Sequence, residues 1–112
     1  MRTVPTVIPL TIKTPEQLAA MYLPFIRNGG LFLPTPKLPK MGDEIAFLLK
    51  LPGRSQSLKV LTRVVWLNPP GGSSRVGFGV QFDEQDKGET RRAIEEILSR
   101  FSDKEVPKLC FS

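Results

Sequence analysis

The chain has 112 residues, 40% of them hydrophobic, and a formal net charge of +5. That length supports one compact domain with a single core. It contains no histidine and a single cysteine, Cys110, which excludes an internal disulfide and removes the commonest general base and metal ligand.

In chain order, Val7–Lys13 reads as a first strand, with Pro9 confining it to an edge or a bulge. Thr14-Pro15-Glu16-Gln17 has the marks of a helix start: a capping hydroxyl, proline at the first helical position, and a glutamine able to close a capping box. The helix should run over about 15–22, because Pro24 disfavours helix at Leu23. Gly29-Gly30 turns the chain into a strand at Leu31-Phe32-Leu33. Pro34, Pro36 and Pro39 then hold an extended connector without ladder donors. Asp43–Leu51 alternates, with Ile45, Phe47, Leu49 and Leu51 on one face. After a polar turn over Pro52–Ser57, Leu58–Trp66 alternates again, placing Leu58, Val60, Thr62, Val64 and Trp66 together. Asn68–Ser74 is a loop. Arg75–Phe82 puts Val76, Phe78, Val80 and Phe82 on one face and Gly77, Gly79 and Gln81 on the other. Two glycines on one face suggest a sharp bend or a close neighbour. A helix over about 86–101 follows, with Ala93, Ile94, Ile97, Leu98 and Phe101 as its apolar stripe. Residues 102–112 form a tail.

Several short strands punctuated by turns predict a mainly β fold, a small antiparallel barrel over about 4–82 with a short N-terminal helix and a C-terminal helix. Residues 1–112 form one domain on this reading, with the last helix closing one mouth of the barrel.

Catalytic chemistry finds few of its residues. Cys110 has neither a histidine partner nor a second thiol, which speaks against nucleophilic and zinc chemistry. The carboxylate pairs Asp43-Glu44, Asp83-Glu84 and Glu95-Glu96 read as solvated surface. There is no Walker-type phosphate loop, and Gly77-x-Gly79 lies in a strand without a third glycine. The expectation is a non-enzymatic binding module with no cofactor and no metal. Charge is uneven: residues 1–82 hold ten Lys/Arg against three Asp/Glu, and residues 83–112 hold six against eight. A basic body could attract an acidic protein face, a nucleotide or nucleic acid, but its cations are scattered singly. An aromatic platform interleaved with Lys/Arg, which single-stranded nucleic-acid binders use, is not apparent, so no nucleic-acid partner is expected. No apolar run approaches the ~18 residues of a membrane span, and Met1–Pro5 does not begin a signal peptide. No membrane insertion and a cytoplasmic location are the expectations.

The segment Phe25-Ile26-Arg27-Asn28-Gly29-Gly30-Leu31-Phe32, followed much later by Gly77-Phe78-Gly79-Val80-Gln81-Phe82 and a helix, resembles the PilZ domain family over nearly the full chain. Within that family it looks like the subgroup of type IV pilus assembly that lacks the dinucleotide motif. PilZ domains that bind cyclic di-GMP carry D/N-x-S-x-x-G at the first segment and R-x-x-x-R before the first strand. With Gly30 in the glycine slot, Phe25 and Arg27 occupy the polar slots, and the only earlier arginine is Arg2. The resemblance thus implies a PilZ-type barrel without a cyclic di-GMP site. It implies a role in pilus biogenesis and twitching motility through contacts with the pilus extension ATPase and with a degenerate EAL-domain protein, and recruitment to the pilus machinery at the inner membrane. A direct cyclic di-GMP receptor is the alternative.

Partner-binding candidates are the bulky groups where regular elements end. Tyr22 closes a short helix before a forced exit at Pro24. Trp66, Pro69 and Pro70 lie at a strand end. Leu109 and Phe111 are apolar residues in the tail. Tyr and Trp combine large contact area with a polar handle, as interface anchors do. Trp66 continues the Leu58–Val64 face, so core and interface readings both stand for it. Phe25 is expected to anchor its segment to the barrel.

Overall fold

The computed structural model describes residues 6–71 and 75–104. The elements are β1 (Thr6–Thr11), α1 (Pro15–Met21), β2 (Gly30–Pro34), β3 (Glu44–Lys50), β4 (Leu58–Asn68), β5 (Gly77–Phe82), a 3-10 turn (Glu84–Asp86) and α2 (Glu89–Lys104). The five strands form one sheet in the order β1-β3-β4-β5-β2. β1 is parallel to β3, and every other pairing is antiparallel. The sheet curls into a half-barrel with β1 and β2 at its two edges, so the expected mainly β fold with two helices is the one found.

Local chemistry sets the elements. The Thr14 hydroxyl accepts from the Gln17 N–H at 3.1 Å, capping α1, while Gln17 Oε1 accepts from the Lys13 N–H, one residue before the cap. Asn28 and Gly29 both take left-handed φ values, +69° and +85°, to turn the chain into β2. Lys87 and Gly88 are left-handed as well. The predicted single helix over 86–101 is therefore a 3-10 turn followed by a break and then α2.

The inward faces of the sheet supply the core. Phe47, Leu49, Val60, Val64, Val80 and Phe82 are at most 2% exposed, and Leu18 of α1 and Ile94 of α2 pack among them fully buried. Burying each such side chain contributes roughly 1.5–3 kcal/mol. Thr62 is the one inward hydroxyl of β4, and it donates to the Ile45 carbonyl at 2.8 Å.

The alternation read along Leu58–Trp66 fails at one point. A β-bulge lies between Val64 and Trp66: Val64 pairs with Val80, yet Trp66 pairs with Gly79. The extra residue, Val65, reverses the inside–outside order. Leu67 now packs on the core, and Trp66 moves to the outer face with Gly79.

Both sheet edges carry proline at a telling position. Ile12 N–H donates to the Lys50 carbonyl, so by alternation Val7, Pro9 and Thr11 direct their backbone groups away from β3. On β2 the Gly30 carbonyl accepts from Leu23 N–H, and Thr35 N–H bonds Val76 in the opposite sense. Phe32 and Pro34 therefore direct their backbone groups away from β5, on the side where Tyr22 already bridges Leu31, and Pro34 lies beyond that bridge. Between the two edges lies an apolar groove of about 1340 Å³, lined by Ile8, Leu10, Met21, Leu33, Leu38 and Phe47 among others.

An aromatic platform on the outer face

The register places Phe32 of β2, Gly79 of β5 and Trp66 of β4 in one row across three strands. With no side chain at Gly79, the Trp66 ring lies down over β5. A Cβ at Gly79 would meet Trp66 Cβ at 3.2 Å and Leu23 Cδ1 at 3.3 Å. Gly77 plays the same part for Phe32, whose Cζ would stand 2.6 Å from an added Cβ. The paired glycines of β5 thus seat two aromatic rings. The Phe32 and Trp66 centroids are 5.9 Å apart and tilted by 56°, and Phe25 stands 6.3 Å from Trp66 at 60°. Tilted pairs of this kind are favourable ring arrangements.

Exposure divides the three rings. Phe32 is buried, with Trp66 tilted against it and the Arg75 guanidinium over its ring, 5.6 Å from its centroid. Trp66 is 38% exposed and Phe25 is 72% exposed. Trp66 Nε1 donates to Asn68 Oδ1 at 3.1 Å, and Asn68 Nδ2 donates to the Arg75 carbonyl, which ties the loop after β4 to the platform. Pro69 and Pro70 in that loop are exposed.

The sequence candidates separate on this geometry. Trp66 is neither a core cap nor isolated; the bulge makes it the middle of an outer aromatic row. Phe25, expected to anchor its segment, instead projects into solvent, because the segment is pinned by backbone hydrogen bonds and not by its ring. Tyr22 lies inside. Its ring is 9% exposed within the core cluster, and its backbone bridges Leu31. The Tyr22 hydroxyl, part-buried, donates to Glu95 Oε2 at 2.6 Å. Burial, aided by the Glu95 hydrogen bond and charge, pushes the Tyr22 pKa up to about 12. The Tyr22 hydroxyl in turn holds Glu95 below the usual carboxylate range, with Arg91 adding to the effect. Leu109 and Phe111 lie outside the described residues. Phe25 and Glu95 are site residues that the sequence does not single out as such; the signal for Phe25 is its place three residues before the Asn28-Gly29 turn, and Glu95 has none.

The second region of interest surrounds Arg27. A cleft of about 610 Å³ is lined by Arg27, Asn28, Arg63 and Gln81, but also by Glu44, Asp83 and Glu84. Arg63 is already paired with Glu44 at 3.3 Å, and the Arg27 carbonyl accepts from Gln81 Nε2 at 2.9 Å. Among the described residues no group of three acidic or Cys side chains could hold a metal, and no helix is long and apolar enough to cross a membrane.

Compared with known families, the sequence matches the PilZ domain over residues 1–100. The chain belongs to the PilZ domain family. PilZ domains are in general non-catalytic binding domains that serve as cyclic di-GMP-related receptors and adaptors. No curated protein matches this PilZ chain at a significant level.

Proposed function

We propose that this PilZ domain is a non-catalytic adaptor of type IV pilus biogenesis and twitching motility. It acts by protein contacts, with the pilus extension ATPase as its main partner and a degenerate EAL-domain protein as the carrier of the cyclic di-GMP signal. The observation that carries the reading is the Phe25–Trp66 pair, two large rings left exposed where the turn before β2 meets the outer face of the sheet, with exposed Pro69 and Pro70 following β4 in the chain. Exposed aromatic anchors on a fixed scaffold are what a protein interface uses.

The motif slots support the adaptor over the direct receptor. Phe25 stands where nucleotide-binding relatives carry a hydrogen-bonding side chain, and it points to solvent. Arg27 stands in place of the small serine. The cleft beside Arg27 is shared with three carboxylates, which oppose a phosphate. A recognition site without its hydrogen-bond partners loses several kcal/mol of affinity.

Two measurements decide between the readings. Calorimetry of the purified protein with cyclic di-GMP should show no binding, and a dissociation constant in the micromolar range would establish the receptor reading instead. Pull-down of the extension ATPase should succeed with the wild-type domain and fail with Trp66→Ala at unchanged fold.

A further inference from the structure

One carboxylate oxygen gathers the supports of the platform loop. Glu95 Oε2 accepts from the Tyr22 hydroxyl at 2.6 Å and from Arg91 Nε at 3.2 Å. Arg91 Nη2 reaches on to the Pro24 carbonyl at 3.4 Å. Tyr22 and Pro24 bracket Leu23, whose N–H donates to the Gly30 carbonyl and whose side chain lies over Gly79 on the outer face beside Trp66. Phe25 comes next in the chain. Its ring is nearly three-quarters exposed, so its burial does not fix it. Its direction is set by the backbone that leads into it, and that backbone is tied to α2 through Arg91 and Glu95.

We infer that Glu95 is a positioning residue, holding Tyr22 and Arg91 so that the Leu23–Phe25 segment presents the Phe25 ring against Trp66. The inference rests on the aromatic platform being the working surface, and it adds α2 to that surface without α2 touching the partner. The charges that face the Tyr22 hydroxyl, Glu95 and Arg91, both come from α2. A two-donor clamp on a single carboxylate oxygen is strong because the acceptor is ionised. It also links a residue of the core to a residue of the surface.

The chain contains one tryptophan and one tyrosine, so each reports alone. The test is acrylamide quenching of Trp66 fluorescence in the full chain, compared among wild type, Glu95→Ala and Phe25→Ala, with far-UV circular dichroism to confirm the fold. Phe25→Ala should raise the quenching constant, because it strips a ring from Trp66. If it does not, the platform itself is wrongly drawn. Glu95→Ala should raise the constant toward the Phe25→Ala value. It should also move the ultraviolet titration of Tyr22 downward, though not to the ordinary tyrosine value, since burial remains. A Tyr22 titration that shifts while Trp66 quenching stays at wild type would overturn the inference: the clamp would exist without positioning the platform. Should Glu95→Ala fail to fold, Arg91→Ala, which alters a partly exposed side chain, decides by Trp66 quenching: a raised constant supports the inference and a wild-type constant overturns it, while the Tyr22 titration moves upward because the cation that lowers it is gone.

Discussion

Trp66 and Gly79 are paired across β4 and β5, and the tryptophan occupies the space that a side chain at position 79 would need. The platform therefore depends on a residue with no side chain as much as on the rings. Gly79→Val should destabilise the domain by about 1–3 kcal/mol through overpacking and should red-shift Trp66 emission as the ring lifts off the sheet. Gly77→Ala should be worse, because its new methyl would press on Phe32 and on Pro34 Cα at 2.9 Å. Chemical denaturation and fluorescence of the two variants check both statements.

Tyr22 separates ring from hydroxyl. Tyr22→Ala opens a cavity in the core and should lower stability by about 3–5 kcal/mol, as for other aromatic truncations. Tyr22→Phe keeps the ring and removes only the bond to Glu95, so it should lower stability by about 1 kcal/mol. Urea midpoints of the two variants read the difference.

Alkaline pH should weaken the fold through the same residue. The Tyr22 pKa is raised from an ordinary value of 10.0 to about 12, so the folded state keeps its proton where the unfolded state loses it. The associated stability is present in full below the ordinary value and is lost as pH rises through the folded one. Tyr22→Phe should abolish that alkaline slope in urea midpoints taken across the range. Glu95 works in the opposite sense. Its pKa is lowered, first by the Tyr22 hydrogen bond, so its contribution is present above the ordinary carboxylate value and fades as pH falls through its own.

Ile94 is the pin of α2 against the sheet. It is fully buried, whereas Ile97 is only partly so. Ile94→Asp should leave little folded protein, since it places a carboxylate in the core, and Ile94→Ala should cost about 2–5 kcal/mol. By contrast, Arg54→Ala breaks only an exposed ion pair with Glu96 and should change stability by about 0–1 kcal/mol. Thermal melts of the three variants give the ranking.

For partner binding the expected pattern is the reverse of the core pattern. Phe25→Ala and Trp66→Ala should each weaken ATPase binding by about 2 kcal/mol or more, roughly thirtyfold. Phe25→Ala should leave the melting temperature nearly unchanged because its ring is mostly in solvent. Titration of each variant against the ATPase provides the affinities.

Much of the fold could be read from pattern. Thr14, Pro15 and Gln17 announced α1, and the alternations over Ile45–Leu51 and Val76–Phe82 announced strands whose inward faces are those found. The reading failed where geometry leaves no residue signature. A bulge at Val65 is one extra residue in a pairing register, and nothing in the run Leu58–Trp66 marks it. The Tyr22–Glu95 bond joins residues 73 positions apart, beyond any local rule. Gly88 did carry a signal: a glycine near a helix start invites the left-handed break that separates the 3-10 turn from α2.

Pro9 and Pro34, on the outward sides of the two edge strands, bear on what kind of visitor the domain can receive. An edge strand offers its unpaired amides to any extended chain, whatever that chain's sequence. A proline in the middle of β1 and another at the end of β2 remove donors from those rows. Together with the Tyr22 bridge that already occupies part of the β2 edge, they work against growth by main-chain addition, whether by a stranger or by the domain's own copies. Recognition is left to the side chains on its outer wall, where shape and chemistry can discriminate.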